Sequence, residues 1–474
     1  MFQHIKIPPK ATLIIIFFVF IFFGLLISAR SLNYPFAWDD LHLIRPYSTE
    51  QILGAFHGTY EPDTFETPGI RPLTMLFNYS RYLLFGENVI DYRILAIILE
   101  SLFFTLLTCI MHRFGMTWPY SILAGLISFS ARFNLQNAIW ATDSNHALGG
   151  IFLCASCLLL LRYLDTRRLS YLIFSWLGMV SSLLLREDNL VILPLVFVAG
   201  ACYWWGFRRI NLKPLIIFGM ICFLSAGAYY AYDIYIFPDI KSNSLNILGY
   251  LLTVFMTIVG FSGLQIFNLW SKVIIYGWIL VFFAISVSML LVKDKKRLAF
   301  PLAMILCLLV SCAFGLKTFR SNILLFPLTF LAYYLASMLS FLQDHKPGKW
   351  VGYGVLVFIL IGNVYIFSYA QQAYHPASTY MINWNGEYVY GDYAGASVPE
   401  ERLAAEKQYL SSFGIKNEKD YLTFTKAIEH GIFLQAPGAP GEIFMPYLAP
   451  FGNYERTIFA QFVSLFSNKK SSIQ

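Results

Sequence analysis

Charge is what this chain has least of. Only 13% of its 474 residues are Asp, Glu, Lys or Arg, 57% are hydrophobic, and the mean hydropathy is +0.59. Soluble domains carry about a quarter charged residues, so a water-soluble fold is excluded and a polytopic membrane protein indicated. A disulfide framework is also missing. Cys109, Cys154, Cys157, Cys202, Cys222, Cys307 and Cys312 all fall inside apolar runs, and Cys154-x-x-Cys157 reads as packing rather than redox or metal chemistry. There is no GxxxxGK[ST] phosphate loop, and glycine pairs such as "GGIF" lack a strand-turn-helix setting, so nucleotide hydrolysis finds no support. Neither an internal repeat nor a charged low-complexity tract is present. The net charge of +7 is spread in short basic clusters between apolar runs, a topology signal and not a nucleic-acid-binding face.

What is abundant is apolar and aromatic. Aromatics reach 18%, as suits lipid-facing helices and headgroup belts. The first run, Ala11 to Ser28, follows Lys6 and Lys10 as a signal peptide would. It is long for one, and "ARSLNYPF" is a poor cleavage site, so it reads as a retained helix. Runs of membrane-crossing length lie near 11–29, 93–111, 117–132, 146–163, 169–185, 189–206, 214–236, 273–292, 299–316, 322–341 and 350–370, eleven in all. A further apolar stretch, 244–270, is kept on the outer face without a net crossing. A full crossing would put "KDKKR" at 293–297 outside, against the positive-inside rule. The expected fold is an all-α membrane domain over 1–370 with interfacial helices in a first outer loop at 30–92. A small extracytoplasmic α or α+β module follows over 371–474, helical near 399–412 and 420–430. The N-terminus is expected in the cytoplasm, the C-terminus outside, and the membrane to be a bacterial inner membrane.

With this topology nearly every loop acid faces outward. The most conspicuous are Asp39 and Asp40 in "NYPFAWDDLHLI". They either cap a helix starting near Leu41 or, as ionisable groups beside a membrane, form a functional site. Downstream, "RPLTMLFNYSRYLLF" is amphipathic, with Arg71, Asn78 and Arg81 opposed to Leu73, Leu76, Phe77, Leu83, Leu84 and Phe85, and suits a helix lying in the interface.

"FAWDD" followed by "RPLTMLFNYSRYLLFGENVIDYRI" resembles the start of the multi-spanning GT-C glycosyltransferases, in particular the protein O-mannosyltransferase group and its tetratricopeptide-bearing relatives. "QNAIWATDSNHAL" at 136–148, "LLREDNLVILPL" at 184–195 and "FRSNILLFPL" at 319–328 follow in the family's order, so the likeness runs over roughly residues 10 to 370. Two features depart from it. Phe133-Asn134 stands where relatives often have His-Pro, and no tetratricopeptide repeat follows the last helix.

The resemblance implies a polyprenyl-phosphate-linked sugar donor and an acceptor hydroxyl on a glycan, lipid or protein. It implies Asp39 as the base and Asp40 as a partner orienting Asp39 or a cation. Arg71, Arg186, Arg320 and Lys317 are candidates for the donor phosphate, for which a guanidinium fork is well shaped; interface anchoring is the alternative for each. Glu187, Asp188, Asp143 and His146 are candidates for acceptor or sugar, the alternatives being a polar turn for the first two and a satisfied loop-end histidine for His146. No cofactor or metal is implied, although Asp39, Asp40 and His42 could ligate a divalent cation, which some GT-C enzymes use. A transporter or flippase of cell-envelope glycan precursors and a non-catalytic scaffold are the competing readings. Against the transporter, the acids gather in loops on one side and no matching halves are visible.

Overall fold

The structure is a computed structural model that describes residues 10–29, 31–32, 40–58, 70–114, 116–131, 134, 141–186, 212–236, 301, 304–305, 325–344, 346–377, 383–387, 397, 400, 403–404, 407 and 416–422. Among these residues the regular elements are helical, apart from one isolated antiparallel bridge between Glu387 and Ser397. In chain order they are α1 (Lys10–Ser28), α2 (Asp40–Leu43), α3 (Thr49–Gly54), α4 (Pro72–Phe85), α5 (Val89–Arg113), α6 (Trp118–Phe129), a 3-10 turn (Ala141–Ser144), α7 (Asn145–Thr166), α8 (Leu169–Leu185), α9 (Leu212–Ile236), α10 (Leu325–Ser340), a second 3-10 turn (Phe341–Asp344) and α11 (Lys346–Ala377).

Among the described residues, four helices are long and apolar enough to cross a membrane: Ala11–Ser28, Val89–Arg113, Asn145–Thr166 and Leu215–Tyr232. At about 1.5 Å per residue each reaches roughly the 30 Å of a hydrocarbon core, and the chain is an integral membrane protein. The expected span at 117–132 is shorter in the structure, because Pro119 starts α6 and the helix stops at Phe129. The expected span at 350–370 is longer: α11 has 32 residues, continuing through helix-compatible Tyr, Ala and Gln. The expected spans 189–206 and 273–292, the stretch 244–270 and most of 299–316 lie outside the described residues.

The packing is centred on α5, which touches α1, α6 and α7. α1 runs antiparallel to it, so that Phe20 meets Phe104 with ring centroids 6.0 Å apart and Gly24 lies beside Ile97. A Cβ at Gly24 would stand 2.6 Å from Phe129 Cζ and 2.8 Å from Ile97 Cγ2, so hydrogen is what lets the helices approach here. α7 and α8 form a hairpin whose hydroxyls face each other's backbone. Ser156 Oγ donates to the Ser175 carbonyl (2.6 Å), Ser175 Oγ to the Ser156 carbonyl (2.8 Å) and Ser182 Oγ to the Gly149 carbonyl (2.9 Å). Small hydroxylated residues are suited to close helix contact in lipid, where apolar burial alone gives little drive.

The two ends of this bundle differ. One end collects an Arg113–Asp165 ion pair, His112 stacked on Trp118 at 3.9 Å, and Tyr120 stacked on Tyr353 at 4.6 Å near Lys349. At the other, α1 and α8 finish, α5 and α7 begin, and α2, α3, α4 and the Ala141–Ser144 turn gather. The acidic motif belongs to this second end.

Candidate functional site

Asp40 opens α2 and is fully buried. Its carboxylate grips the backbone of the Ala141–Ser144 turn, Oδ2 accepting the Ala141 N–H at 3.0 Å and Oδ1 the Thr142 N–H at 2.8 Å. One short side chain thus joins the first loop to a segment about a hundred residues away. Burial pushes the Asp40 carboxyl above its ordinary range; the Arg93 guanidinium and the hydrogen bonds from Ala141 and Thr142 oppose that shift without cancelling it.

Arg81 supports the same turn from α4. Nη1 donates to the Ala141 carbonyl (2.5 Å) and to Ser144 Oγ (2.6 Å), and Nη2 donates to Asn78 Oδ1. Its guanidinium lies 4.3 Å from the Phe77 ring centroid and 5.5 Å from that of Tyr92. Burial lowers its pKa to about 10, while the Asp40 charge opposes that shift, so Arg81 remains a cation at neutral pH. Asp40 therefore lies within the fields of two buried guanidinium groups, Arg81 and Arg93.

α4 is amphipathic as expected, but its orientation is decided by the site. Pro72, Thr74, Met75, Asn78 and Arg81 form the buried face, while Leu83 and Leu84 are exposed. The polar stripe points into the protein, where Arg81 bonds to Ala141, Ser144 and Asn78. Arg71, the N-cap of α4, and Arg186, the C-cap of α8, are both largely buried. The helices they cap are joined by Thr74, whose hydroxyl donates to the carbonyl of Leu185, one residue before Arg186. The Tyr229 hydroxyl donates to the Ile70 carbonyl at 2.8 Å, tying the start of α4 to α9 as well.

Of the other expected site residues, His146 is buried in the first turn of α7 beside the gripped 3-10 turn. Asp143 belongs to that turn through its backbone. Asp39, Glu187, Asp188, Lys317 and Arg320 lie outside the described residues. Among the described residues no group of three or more His, Cys, Asp or Glu is placed to hold a metal ion.

Two residues were missed by reasoning from sequence. Arg93 was counted as the edge of an apolar span, yet it is buried and acts electrostatically on Asp40. Glu100 is fully buried partway along α5, accepting from Asn134 Nδ2 at 3.2 Å. A signal for it was available: an acid in the middle of a 25-residue apolar helix, well past Asp91 in its first turn, is costly and therefore informative.

Fold and site together define a polytopic helical membrane protein whose loop-rich end holds a buried aspartate clamp and two largely buried arginines at helix ends. The chain is similar to ArnT from Cupriavidus metallidurans bound to undecaprenyl phosphate, at 13% identity over 87% of this chain and 91% of that one, with a TM-score of 0.47. To the apo state of the same protein it shows 13% identity over 89% and 92% of the two chains, with a TM-score of 0.49. No protein-family model and no curated protein matches the chain.

Proposed function

We propose that the protein is a membrane glycosyltransferase that moves a sugar from a polyprenyl-phosphate donor to an acceptor hydroxyl at the extracytoplasmic face. The observation that carries this reading is the convergence at one end of the bundle. Asp40 is bonded to the Ala141–Ser144 turn, and the Thr74–Leu185 bond joins the start of α4, which Arg71 caps, to the end of α8, which Arg186 caps, at the same end. The motif likeness to the GT-C glycosyltransferases supports it from the sequence side.

Asp40 is committed to two backbone N–H groups and is closed to solvent, which suits an orienting role. Asp39, the preceding residue in the sequence, is assigned as the base. In the transfer, the acceptor oxygen bonds to the anomeric carbon and its proton passes to the Asp39 carboxylate. The bond from the anomeric carbon to the phosphate oxygen breaks, and its electron pair leaves with the polyprenyl phosphate. Arg71 and Arg186 stabilise that growing negative charge, Arg320 and Lys317 being the further candidates from sequence. Glu187, Asp188, Asp143 and His146 are assigned to acceptor or sugar, and no metal is required.

The test is to incubate the purified protein with a panel of polyprenyl-phosphate sugars and measure released polyprenyl phosphate. Release by the wild type, lost in Asp39→Asn while the variant stays folded and inserted, is the expected result. Full activity in Asp39→Asn removes the base assignment. No release from any donor by the wild type turns the reading toward transport.

A further inference from the structure

The C-terminal segment reaches the clamp. Leu403 packs, with Tyr82, Phe85 and Val89, against the small buried cluster of Ile44, Tyr92 and Ala141, and each member of that cluster belongs to the surroundings of Asp40. The Ile44 N–H donates to the Asp40 carbonyl at 3.1 Å, the Ala141 N–H donates to Asp40 Oδ2, and the Tyr92 ring lies against the Arg81 guanidinium. Ile44, Tyr92 and Ala141 are themselves fully buried. Displacement of Leu403 would uncover apolar surface around the two hydrogen bonds that hold the acidic loop.

Leu403 also meets the turn around Gly386. Asn383 Oδ1 accepts the N–H groups of Asn385 and Glu387, both at 2.9 Å, and the Asn383 N–H donates to the Glu387 carbonyl at 2.8 Å. These bonds form the turn that contains Gly386 at φ +86°, where a Cβ would stand 2.6 Å from Leu403 Cδ2. Only glycine accommodates both that backbone angle and that contact. Trp384 fastens the turn to the rest of the segment, with the Lys407 ammonium 4.8 Å from its ring centroid and the Tyr421 ring 6.0 Å away.

We propose that Leu403, clasped by the Gly386 turn, is a positioning residue for sugar transfer: it seals the bonds by which Asp40 holds the Ala141–Ser144 turn. This rests on the transferase reading of the site. The C-terminal segment then serves the active site directly, although no residue described in it touches a reacting atom. Arg71 and Arg186 are fixed by other bonds, from Thr74 to Leu185 and from Tyr229 to Ile70. Loosening the latch therefore acts on the rate of transfer and spares donor binding.

The experiment uses the full chain in detergent or nanodiscs and compares wild type with Leu403→Ala, Leu403→Met and Gly386→Ala. Hydrogen exchange of the Ala141 and Thr142 amides reads the clamp without reference to activity. Release of polyprenyl phosphate gives kcat and the KM for donor. In Leu403→Ala these two amides exchange about tenfold faster, kcat falls, KM for donor is little changed, and Leu403→Met restores both exchange and kcat. Gly386→Ala moves exchange and kcat in the same direction as Leu403→Ala. Unchanged exchange in Leu403→Ala overturns the latch, as does a rise in KM with kcat intact, or a loss that Leu403→Met fails to repair. Should the wild type release nothing from any donor, the transferase reading fails on that result, and the exchange data alone decide whether Leu403 seals the clamp.

Discussion

Replacing Asp40 with Asn tests the clamp most directly, because it preserves shape while removing one negative charge. The wild-type carboxylate offers an acceptor oxygen to each of two N–H groups, Ala141 at 3.0 Å and Thr142 at 2.8 Å. Asparagine has one oxygen to offer, so its amide nitrogen meets the second N–H donor to donor. The substitution also leaves Arg81 and Arg93, both almost completely buried, without the anion between them. A hydrogen bond lost from a charged group costs about 1.5–3 kcal/mol. Spent locally, about 3 kcal/mol raises the open population of the Ala141–Ser144 turn about a hundredfold. Amide exchange by mass spectrometry over this turn, with thermal unfolding alongside, measures it. If charge imbalance is the cause, Asp40→Asn with Arg93→Met loses less than the sum of the two single variants. Wild-type exchange and unfolding in Asp40→Asn would refute the clamp, and additive losses would refute the electrostatic part of the reasoning.

The raised pKa of Asp40 gives a pH dependence of definite sign. Folded protein keeps the Asp40 proton at pH values where the unfolded chain has already released it, so this group's contribution is full below its ordinary 3.8 and is lost as pH rises through the raised value. Acidification within that window therefore stabilises wild type relative to Asp40→Asn, as read from melting temperatures of the two in one detergent across the pH series; parallel curves would contradict it. On the proposed reading, Arg71→Met and Arg186→Met each remove a charge-assisted contact with the donor phosphate and raise KM for the polyprenyl-phosphate donor about tenfold or more, with a smaller effect on acceptor KM. Donor titration of each variant measures this, and an unchanged donor KM would return both arginines to interface anchoring. Asp39→Asn abolishes release of polyprenyl phosphate while leaving exchange of the Ala141 and Thr142 amides as in wild type, which separates the base from the clamp beside it.

The contrast between Asp40 and Arg81 shows how much of the site was readable beforehand. The Asp39-Asp40 motif stood out because two acids follow a membrane-length apolar run, and a capping role for one of them was already open. That Asp40 satisfies N–H groups of a turn about a hundred residues away follows no local rule. Arg81 was visible only as a polar position on an amphipathic stretch. The pattern gave two faces without saying which one the protein would cover, and in a membrane the apolar face is a stable surface to leave exposed. Glu100 was legible and was overlooked because attention went to loop acids.

Alone, the sequence determined the class and the main helices. Hydropathy summed over about twenty consecutive residues decides whether a segment enters a bilayer, and that quantity is local; the expected spans near α1, α5, α7, α8 and α9 accordingly coincide with helices in the structure. Tertiary structure decided what the polar residues do. Asp40 found Ala141 and Thr142, Thr74 joined the helix ends that Arg71 and Arg186 cap, and Leu403 came from the C-terminal segment to cover the clamp. A buried donor or acceptor must be matched wherever the fold brings a partner. Such partners are set by helix packing and chain path, which no window along the sequence contains.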